Sequence, residues 1–557
     1  MRVPYKTTEK KCPVCGSDLK AYKTVSRTVK SLTYGEFTAV EHIMYCKLHP
    51  SKLYRSEALS SLIGPYYKYA NDVMLESAMK RFIEGRSCSE ISGAMGIGIS
   101  ESHVRKLSNM ALKIFGMIHE ENTEKISSAM ENYILQIDGT VDSEYSMIVA
   151  IIDTKSESVL YVKKCYAESY EEMKNLLYEI RKRFGMAEGI ISDMRAGILL
   201  ALDEVFPGVP KRICLTHFLK DLGADLMKNL HINLGKAINR VMIKSPLKRL
   251  LRNILQYDQK TLCEIESGFC SNRESMELMA IRRIVEKIFE STGSSGYGFP
   301  FSLRHLNFYN SCRESMKKLT DLETKLTCVK AKEVASIVRM QIDRILDNKQ
   351  IVVMAEQLSS MNRIFQSFRK AFKIPDHGSL SDDLPDDSTI HESCNILVGQ
   401  MKIYLKQDIT NYERKAIKHI IKRFKERESL LFANNAEHTI PRTNNSIERF
   451  FRKVRKNVRK RCGNKATGTV LSQSGESLAL FQNMSNPLYI KTVFGQEDVA
   501  ATYALYRKKL KKTCMNKSKM IKLVDIGIEK ILSDSLPGTS YTEEQMNAFY
   551  SSIRIGQ

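Results

Sequence analysis

The chain has 557 residues, more than one ordinary core accommodates, so several folded units are expected. Hydrophobic residues make up 43% and charged residues 27%, a globular composition that excludes wholesale disorder. Lys plus Arg outnumber Asp plus Glu by 86 to 63, a net charge of +23 that points to a polyanionic partner. No window approaches the apolar length of a membrane span and no basic amphipathic segment sits beside one, so no membrane association is expected and nucleic acid is favoured. The polar stretch from Met1 to Lys11 lacks the apolar region of a secretory signal, and thirteen scattered cysteines, an odd number, argue against a disulfide framework. An intracellular location in association with DNA is expected, cytoplasm or nucleoid if the source is prokaryotic.

Residues 1–55 carry Cys12-Pro13-Val14-Cys15-Gly16 and, 30 residues on, Cys46-Lys47-Leu48-His49. Between them Lys20 to Val29 and Ser31 to Tyr45, rich in Thr, Val, Tyr and Phe, read as short strands with Gly35 at a turn. Cys12, Cys15, Cys46 and His49 supply the four ligands that tetrahedral Zn²⁺ requires, so a zinc ribbon is expected; the alternative is a cysteine-bearing hairpin without metal. Over 66–120 the spacing of Met79, Phe82, Ile83, Ile91, Met95, Val104, Leu107, Leu112 and Ile114 becomes helical. The order is helix, turn, short helix from Ser89, turn through Gly96 and Gly98, then a helix capped by Ser100 and running to Phe115. That is the pattern of a helix-turn-helix, with His103, Arg105 and Lys106 placed for contacts in a DNA groove; a plain helical linker is the alternative.

At Asn132 the character turns to strand, with runs Tyr133 to Ile137, Tyr145 to Ile152 and Val159 to Val162. Ser169 and Glu172 form a capping box for a helix to about Phe184, and Gly189 to Asp193 returns to strand. A helix from Ile198 to Val205 precedes a short strand at Arg212 to Cys214. Residues 130–222 thus read as a mixed α/β sheet with helices. From His217 to about Asn434 strand signals nearly vanish, giving an all-helical block over 223–435. Within it Ser291 to Phe301 and the Asp-rich stretch Ile374 to Ser388 read as surface loops, and the first lacks the Gly-Lys-Ser/Thr ending of a phosphate-binding loop. Residues 436–475 return to the α/β core, and 476–557 form a basic, helical C-terminal region.

Three segments carry chemistry. In Gln136-Ile137-Asp138-Gly139-Thr140 an acid stands at the end of an apolar strand, where a cleft spares it the cost of burial, and Gly139 leaves the backbone open to a metal and a phosphate. A second strand ends likewise at Ser192-Asp193, and such strand ends lie together in an α/β sheet. The third segment, Thr443 to Arg452, leads from a polar cap into a helix with an apolar stripe of Ile447, Phe451, Val454 and Val458, beside which Glu448 sits in the first turn. Ordinary turn aspartates, and a capping box between Asn445 and Glu448, are the alternatives. From Arg449 to Arg461 this helix has eight cations in thirteen residues. Arg449, Arg452, Lys453, Lys456 and Arg459 are candidates for phosphate contacts, with strong salt sensitivity. A second basic run, Arg507 to Lys519, reads equally as a DNA contact or a solvated helix.

Taken together, Asp138-Gly139-Thr140, Asp193 followed by Cys214-Leu215-Thr216-His217, and Asn444-Asn445-Ser446-Ile447-Glu448-Arg449 resemble the DDE transposases of insertion sequences and the Mutator-like group. The resemblance covers about Met130 to Gly468 with the N-terminal modules. It implies a ribonuclease-H-like core in which Asp138, Asp193 and Glu448 hold two Mg²⁺ or Mn²⁺ ions, interrupted by a helical insertion between the second and third acids. The spacing from Asp193 to Glu448, 448 − 193 = 255 residues, suits that insertion. It also implies a role for Cys214 and His217, either as partial metal ligands or in structure and DNA contact. Met194-Arg195 departs from the small or polar residues expected after the second acid, and Asp203, Asp221 and Asp225 stand in reserve. The activity implied is binding of transposon terminal inverted repeats, metal-dependent DNA cleavage and strand transfer by a homodimer or higher oligomer. A transposase-derived DNA-binding regulator without catalysis and a metal-dependent nuclease of the same fold are the rivals.

Overall fold

The computed structural model describes residues 1–130, 132–143, 147–290, 298–374, 386–432, 440–513 and 517–532. Most of the two expected loops (291–297 and 375–385), part of the expected strand from Tyr145, and the end of the C-terminal region lie outside the described residues. The protein is mixed α/β and mainly helical, and divides into two compact units, Met1–Val209 with Asn444–Gln557, and Pro210–Thr443. No helix among the described residues is long and apolar enough to cross a membrane.

The first unit opens with β1 (Arg2–Lys6), β2 (Lys20–Ser31), β3 (Gly35–Tyr45) and β4 (Leu53–Tyr54). β2 and β3 form the expected antiparallel hairpin, reversed at Gly35 with φ +70°, a conformation glycine adopts without a Cβ penalty. β1 lies outside the sequence expectation: it runs parallel to β3, and Val3 and Tyr5 pack against the small cluster of Val29, Phe37 and Ala39. Two apolar residues are too few to announce a strand. Then come α1 (Glu57–Leu62), α2 (Asn71–Ala78), a π-helical turn (Met79–Ile83), α3 (Cys88–Ala94), α4 (Glu101–Glu121) and α5 (Thr123–Ala129). Ser87 and Glu90 make a capping box for α3, and Ser100 caps α4. α4 runs beyond Phe115 because Ile118 and His119 continue its buried face.

Next follow β5 (Ile134–Val141), β6 (Met147–Asp153), β7 (Val159–Cys165), α6 (Tyr170–Phe184), β8 (Gly189–Ser192) and α7 (Ala196–Val205). In this unit the strand order is β7-β6-β5-β8, with β5 antiparallel to β6 and parallel to β8. β5 is longer than the sequence implies, since Gly139, Thr140 and Val141 continue to pair with β6, so Asp138 stands within the strand opposite Ala150 rather than at its end. Only half of the expected capping box on α6 forms: Ser169 accepts from the Glu172 N–H, whereas the Glu172 carboxylate accepts from the N–H groups of Tyr166 and Ala167.

The second unit begins at Pro210, ahead of the expected boundary at 223, with β9 (Lys211–Ile213) and the unbroken 27-residue α8 (Leu215–Val241). It continues through α9 (Lys244–Asn253), α10 (Gln259–Glu266), α11 (Arg273–Glu290), α12 (Arg304–Glu323), α13 (Val329–Leu346), α14 (Lys349–Ala371), α15 (Asp387–Tyr404) and α16 (Asn411–Leu431). Its entering and leaving segments are joined by Asp387, which accepts from Arg212 at 2.7 and 3.0 Å and from Arg442 at 2.8 Å, while the Leu215 N–H donates to the Arg442 carbonyl. Arg212 is fully buried, so Asp387 supplies the countercharge that makes its burial tolerable.

The chain re-enters the first unit as α17 (Asn445–Cys462), α18 (Thr467–Phe481), a 3₁₀ turn (Gln482–Ser485), α19 (Pro487–Phe494), α20 (Val499–Thr513) and α21 (Lys517–Leu532). One continuous core joins Val73 and Leu112 of the early helices, Ile137 and Ile151 of the sheet, Leu177 of α6, and Ile447, Leu478 and Tyr503 of the late helices. In the second basic run Arg507 is neither solvated nor offered to DNA. It is buried over the Tyr67 ring, 3.8 Å from its centroid, and donates to Asn71.

His119 links the early and late helices: its Nε2–H donates to the Leu160 carbonyl at 2.9 Å and its Nδ1 accepts from the Tyr489 hydroxyl at 2.7 Å. Burial holds its imidazole down to about 4, from 6.5. Between those values the folded chain binds fewer protons than the unfolded chain, so stability is lost as pH falls from 6.5 through about 4. His119→Gln, which keeps a donor and an acceptor but does not titrate, is expected to flatten that dependence in urea unfolding across the same window.

Candidate functional site

The N-terminal hairpin brings both knuckles to one point. Cys12, Cys15, Cys46 and His49 present ligand atoms that all lie within 4.8 Å of one another. Cys15 Sγ is 3.5 Å from Cys46 Sγ, and His49 Nδ1 is 3.7 Å from Cys12 Sγ and 3.8 Å from Cys46 Sγ. A tetrahedron with Zn–S bonds of about 2.3 Å has edges of about 3.8 Å, so the set fits zinc as it stands. The Tyr54 hydroxyl, 3.2 Å from Cys12 Sγ, donates to it and brings that thiol down to about 6. A lowered thiol is the state a metal ligand needs.

The second candidate centre is built on β5 and α17. Asp138 and Glu448, both half-buried, bring carboxylate oxygens within 4.8 Å of each other. Their approach is set by the residues around them. Gln136, fully buried on β5, donates to Asn444 Oδ1 at 3.2 Å; Asn444 donates to the Ile137 carbonyl at 3.3 Å; and Ser446 donates to Gln136. Asn444 caps β5 in this way and makes no side-chain cap on its own helix. Ile447, Phe451, Val454 and Val458 then bury the inner face of α17, and Arg455 donates to Thr140 and to the Val141 carbonyl. Two carboxylates at this separation can share one hard divalent cation, with water completing its shell.

Asp193 reaches the same end of the sheet by another route. β5 and β8 pair in parallel up to Gln136↔Ile191, and Asp193 directly follows Ser192, the last residue of β8. Its carboxylate, however, is engaged by Arg195: Oδ1 accepts from the Arg195 backbone N–H at 3.1 Å, and Oδ2 lies 3.3 Å from its Nε. The other prong of the guanidinium is paired with Glu168, an acid in the loop before α6 whose side chain is 4% exposed. Glu168 has no sequence signal, being one carboxylate in a polar turn. It lies against Gly139, where an added Cβ would stand 2.9 Å from its Oε1 and 2.7 Å from Met147 Cε. Gly139 therefore makes room for two side chains, beyond the open backbone expected of it.

The remaining candidates are carried by other elements. Cys214 is buried at the N-cap of α8 and His217 is in that helix's first turn. Asp203 is on α7, Asp221 and Asp225 are on α8, and Asp225 faces His419 at 3.0 Å and Arg423 at 3.6 Å. Arg449, Arg452, Lys453, Lys456 and Arg459 are all exposed along α17. Arg461 is turned inward, donating to the Arg81 carbonyl over the Phe82 ring, and burial pushes it down to about 10. Lys460, though exposed, donates to the Glu84 carbonyl. On α4, His103, Arg105 and Lys106 are exposed, with His103 Nδ1 2.8 Å from Ser100 Oγ.

Elemental analysis of the purified chain is expected to find about one zinc per chain, lost on Cys15→Ala or Cys46→Ala, because removing one thiolate opens the four-ligand set. Compared with known protein families and with curated proteins, the chain matches no family model and no curated sequence.

Proposed function

We propose that the chain is a DNA transposase of the DDE type, in which a zinc ribbon and a helix-turn-helix bind transposon terminal inverted repeats and a ribonuclease-H-like core cleaves DNA and transfers strands. The observation that carries this reading is the meeting of Asp138 and Glu448, 448 − 138 = 310 residues apart in sequence, with their carboxylates within 4.8 Å. Acids so distant along the chain meet only if the fold is built to bring them together, and two carboxylates this close repel each other unless a cation is intended. A Mg²⁺ or Mn²⁺ ion bound there supplies Lewis-acid stabilisation for phosphodiester hydrolysis and transesterification. Asp138 and Glu448 would hold and orient that ion, and Asp193, just past the end of β8, is the third acid this reading assigns to a two-ion centre. The exposed cations of α17 neutralise DNA phosphates next to the acids. Strand transfer between two ends calls for a dimer or higher oligomer.

With Mg²⁺, the protein is expected to join a labelled inverted-repeat end to target DNA. Asp138→Ala and Glu448→Ala should each lower joining by about 100-fold or more, while DNA binding persists. Cleavage without joining would replace this reading with a nuclease, and binding without either reaction would replace it with a regulator. Combined Arg452→Ala, Lys456→Ala and Arg459→Ala substitutions should lower the slope of log affinity against log salt by about 0.9 for each phosphate that is no longer neutralised, measured by DNA-binding titrations over a range of ionic strength.

A further inference from the structure

Arg195 is the residue at which the sequence departs from its family likeness, and in the fold its guanidinium occupies a position between two acids. One prong pairs with Glu168 and the Nε side with Asp193, 3.3 Å away. Its side chain is 56% exposed, whereas those of Glu168 and Asp193 are 4% and 14% exposed. The acids are therefore fixed and the cation has an open path to solvent. Their fixation is steric as well as electrostatic. An added Cβ at Gly197, the second residue of α7, would stand 2.6 Å from the Glu168 carbonyl oxygen, so the start of α7 is packed directly on the Glu168 backbone. A buried carboxylate that loses its countercharge is strongly destabilising, so Glu168 must always be neutralised by something.

We propose that Arg195 is a built-in counter-cation that competes with divalent metal for Asp193 and Glu168, holding the Asp193 side of the centre closed until a metal ion takes its place and the arginine swings into solvent. This rests on the reading of Asp138, Asp193 and Glu448 as a metal centre, and adds Glu168 as the acid against which Arg195 is braced. In the resting protein the Asp193 side of the centre already holds a cation of its own. Metal loading is then stepwise, with the second position governed by displacement of a side chain. Exchange of one cation for another keeps Glu168 neutralised throughout, so the site opens without stranding a buried charge.

The test is a Mn²⁺ titration of the full, zinc-loaded chain without DNA, following the signal of free Mn²⁺ by electron paramagnetic resonance. In the wild type a second Mn²⁺ is expected to bind more weakly than the first. Arg195→Gln removes the competing charge and should tighten that second step by about tenfold. Arg195→Lys retains a charge but lacks the fork that spans both acids, and should tighten it by about threefold. Adding Glu168→Gln to Arg195→Gln should abolish the gain. A second step equally weak in the wild type, Arg195→Gln and Arg195→Lys overturns the proposal, as does a gain that survives Glu168→Gln. If Arg195→Gln does not fold, the Lys variant decides alone, an unchanged second step counting against the idea. Because no DNA is present, a failure to join DNA ends accompanied by the expected Mn²⁺ pattern rejects the transposase reading and leaves this cation exchange standing.

Discussion

The candidate catalytic centre depends on a buried amide. Gln136 lies within β5 with no exposure, and an unsatisfied amide there would cost on the order of 1–3 kcal/mol. Asn444 and Ser446 satisfy it, and Asn444 also donates to the neighbouring Ile137 carbonyl. These three bonds fix the first turn of α17 against the strand two residues before Asp138. Glu448, in that same turn, has little freedom left in where its carboxylate arrives. The apolar stripe supplies the adhesion between helix and sheet, while the polar contacts select the register. Hydrophobic burial is non-directional and would tolerate a slide along the strand that these hydrogen bonds forbid.

The same division separates what could be read from the sequence and what could not. The two cysteine knuckles, the Asp-Gly-Thr strand and the Asn-Asn-Ser-Ile-Glu-Arg helix were legible because each packs its information into a few adjacent residues. Glycines 96 and 98, both at positive φ, likewise marked the turn after α3. β1 was not legible, because a strand that adds to the edge of a hairpin through backbone bonds needs few apolar side chains. Nor was the length of β5: the pairing of Gly139 to Val141 with β6 is decided by the partner strand. Glu168 and Arg195 were invisible as a pair, since their meeting depends on where α6 and α7 begin. A lone acid in a turn and an arginine before a helix carry no periodicity.

The departure at Met194-Arg195 shows how an irregularity gains meaning in three dimensions. By sequence it blurred a likeness. In the fold the arginine ties two acids that would otherwise repel, and so it changes the expected picture of three equivalent metal ligands. Asp138 and Glu448 face each other across the junction of β5 and α17, whereas Asp193 is already committed to an ion pair within the protein. The centre is asymmetric before any metal arrives. Because Coulomb attraction in a partly buried site is several times stronger than in water, a resident guanidinium there is a real competitor for a divalent ion.

Charge counted along the sequence also overstates what a polyanion meets. Of the eight cations between Arg449 and Arg461, Arg455 donates to Thr140 and Val141, Lys460 to Glu84, and Arg461 to Arg81. Those three hold α17 to β5 and to the early helices. The other five lie at 449, 452, 453, 456 and 459, positions that share one side of the helix, opposite Ile447, Phe451, Val454 and Val458. One helix thus uses its cations in two ways: three direct their hydrogen bonds mainly to backbone carbonyls and hold α17 in place, and five line its exposed side, where Lys453 reaches Ser485. The exposed stripe and Glu448 are carried by the same helix, so that the offset between them is fixed.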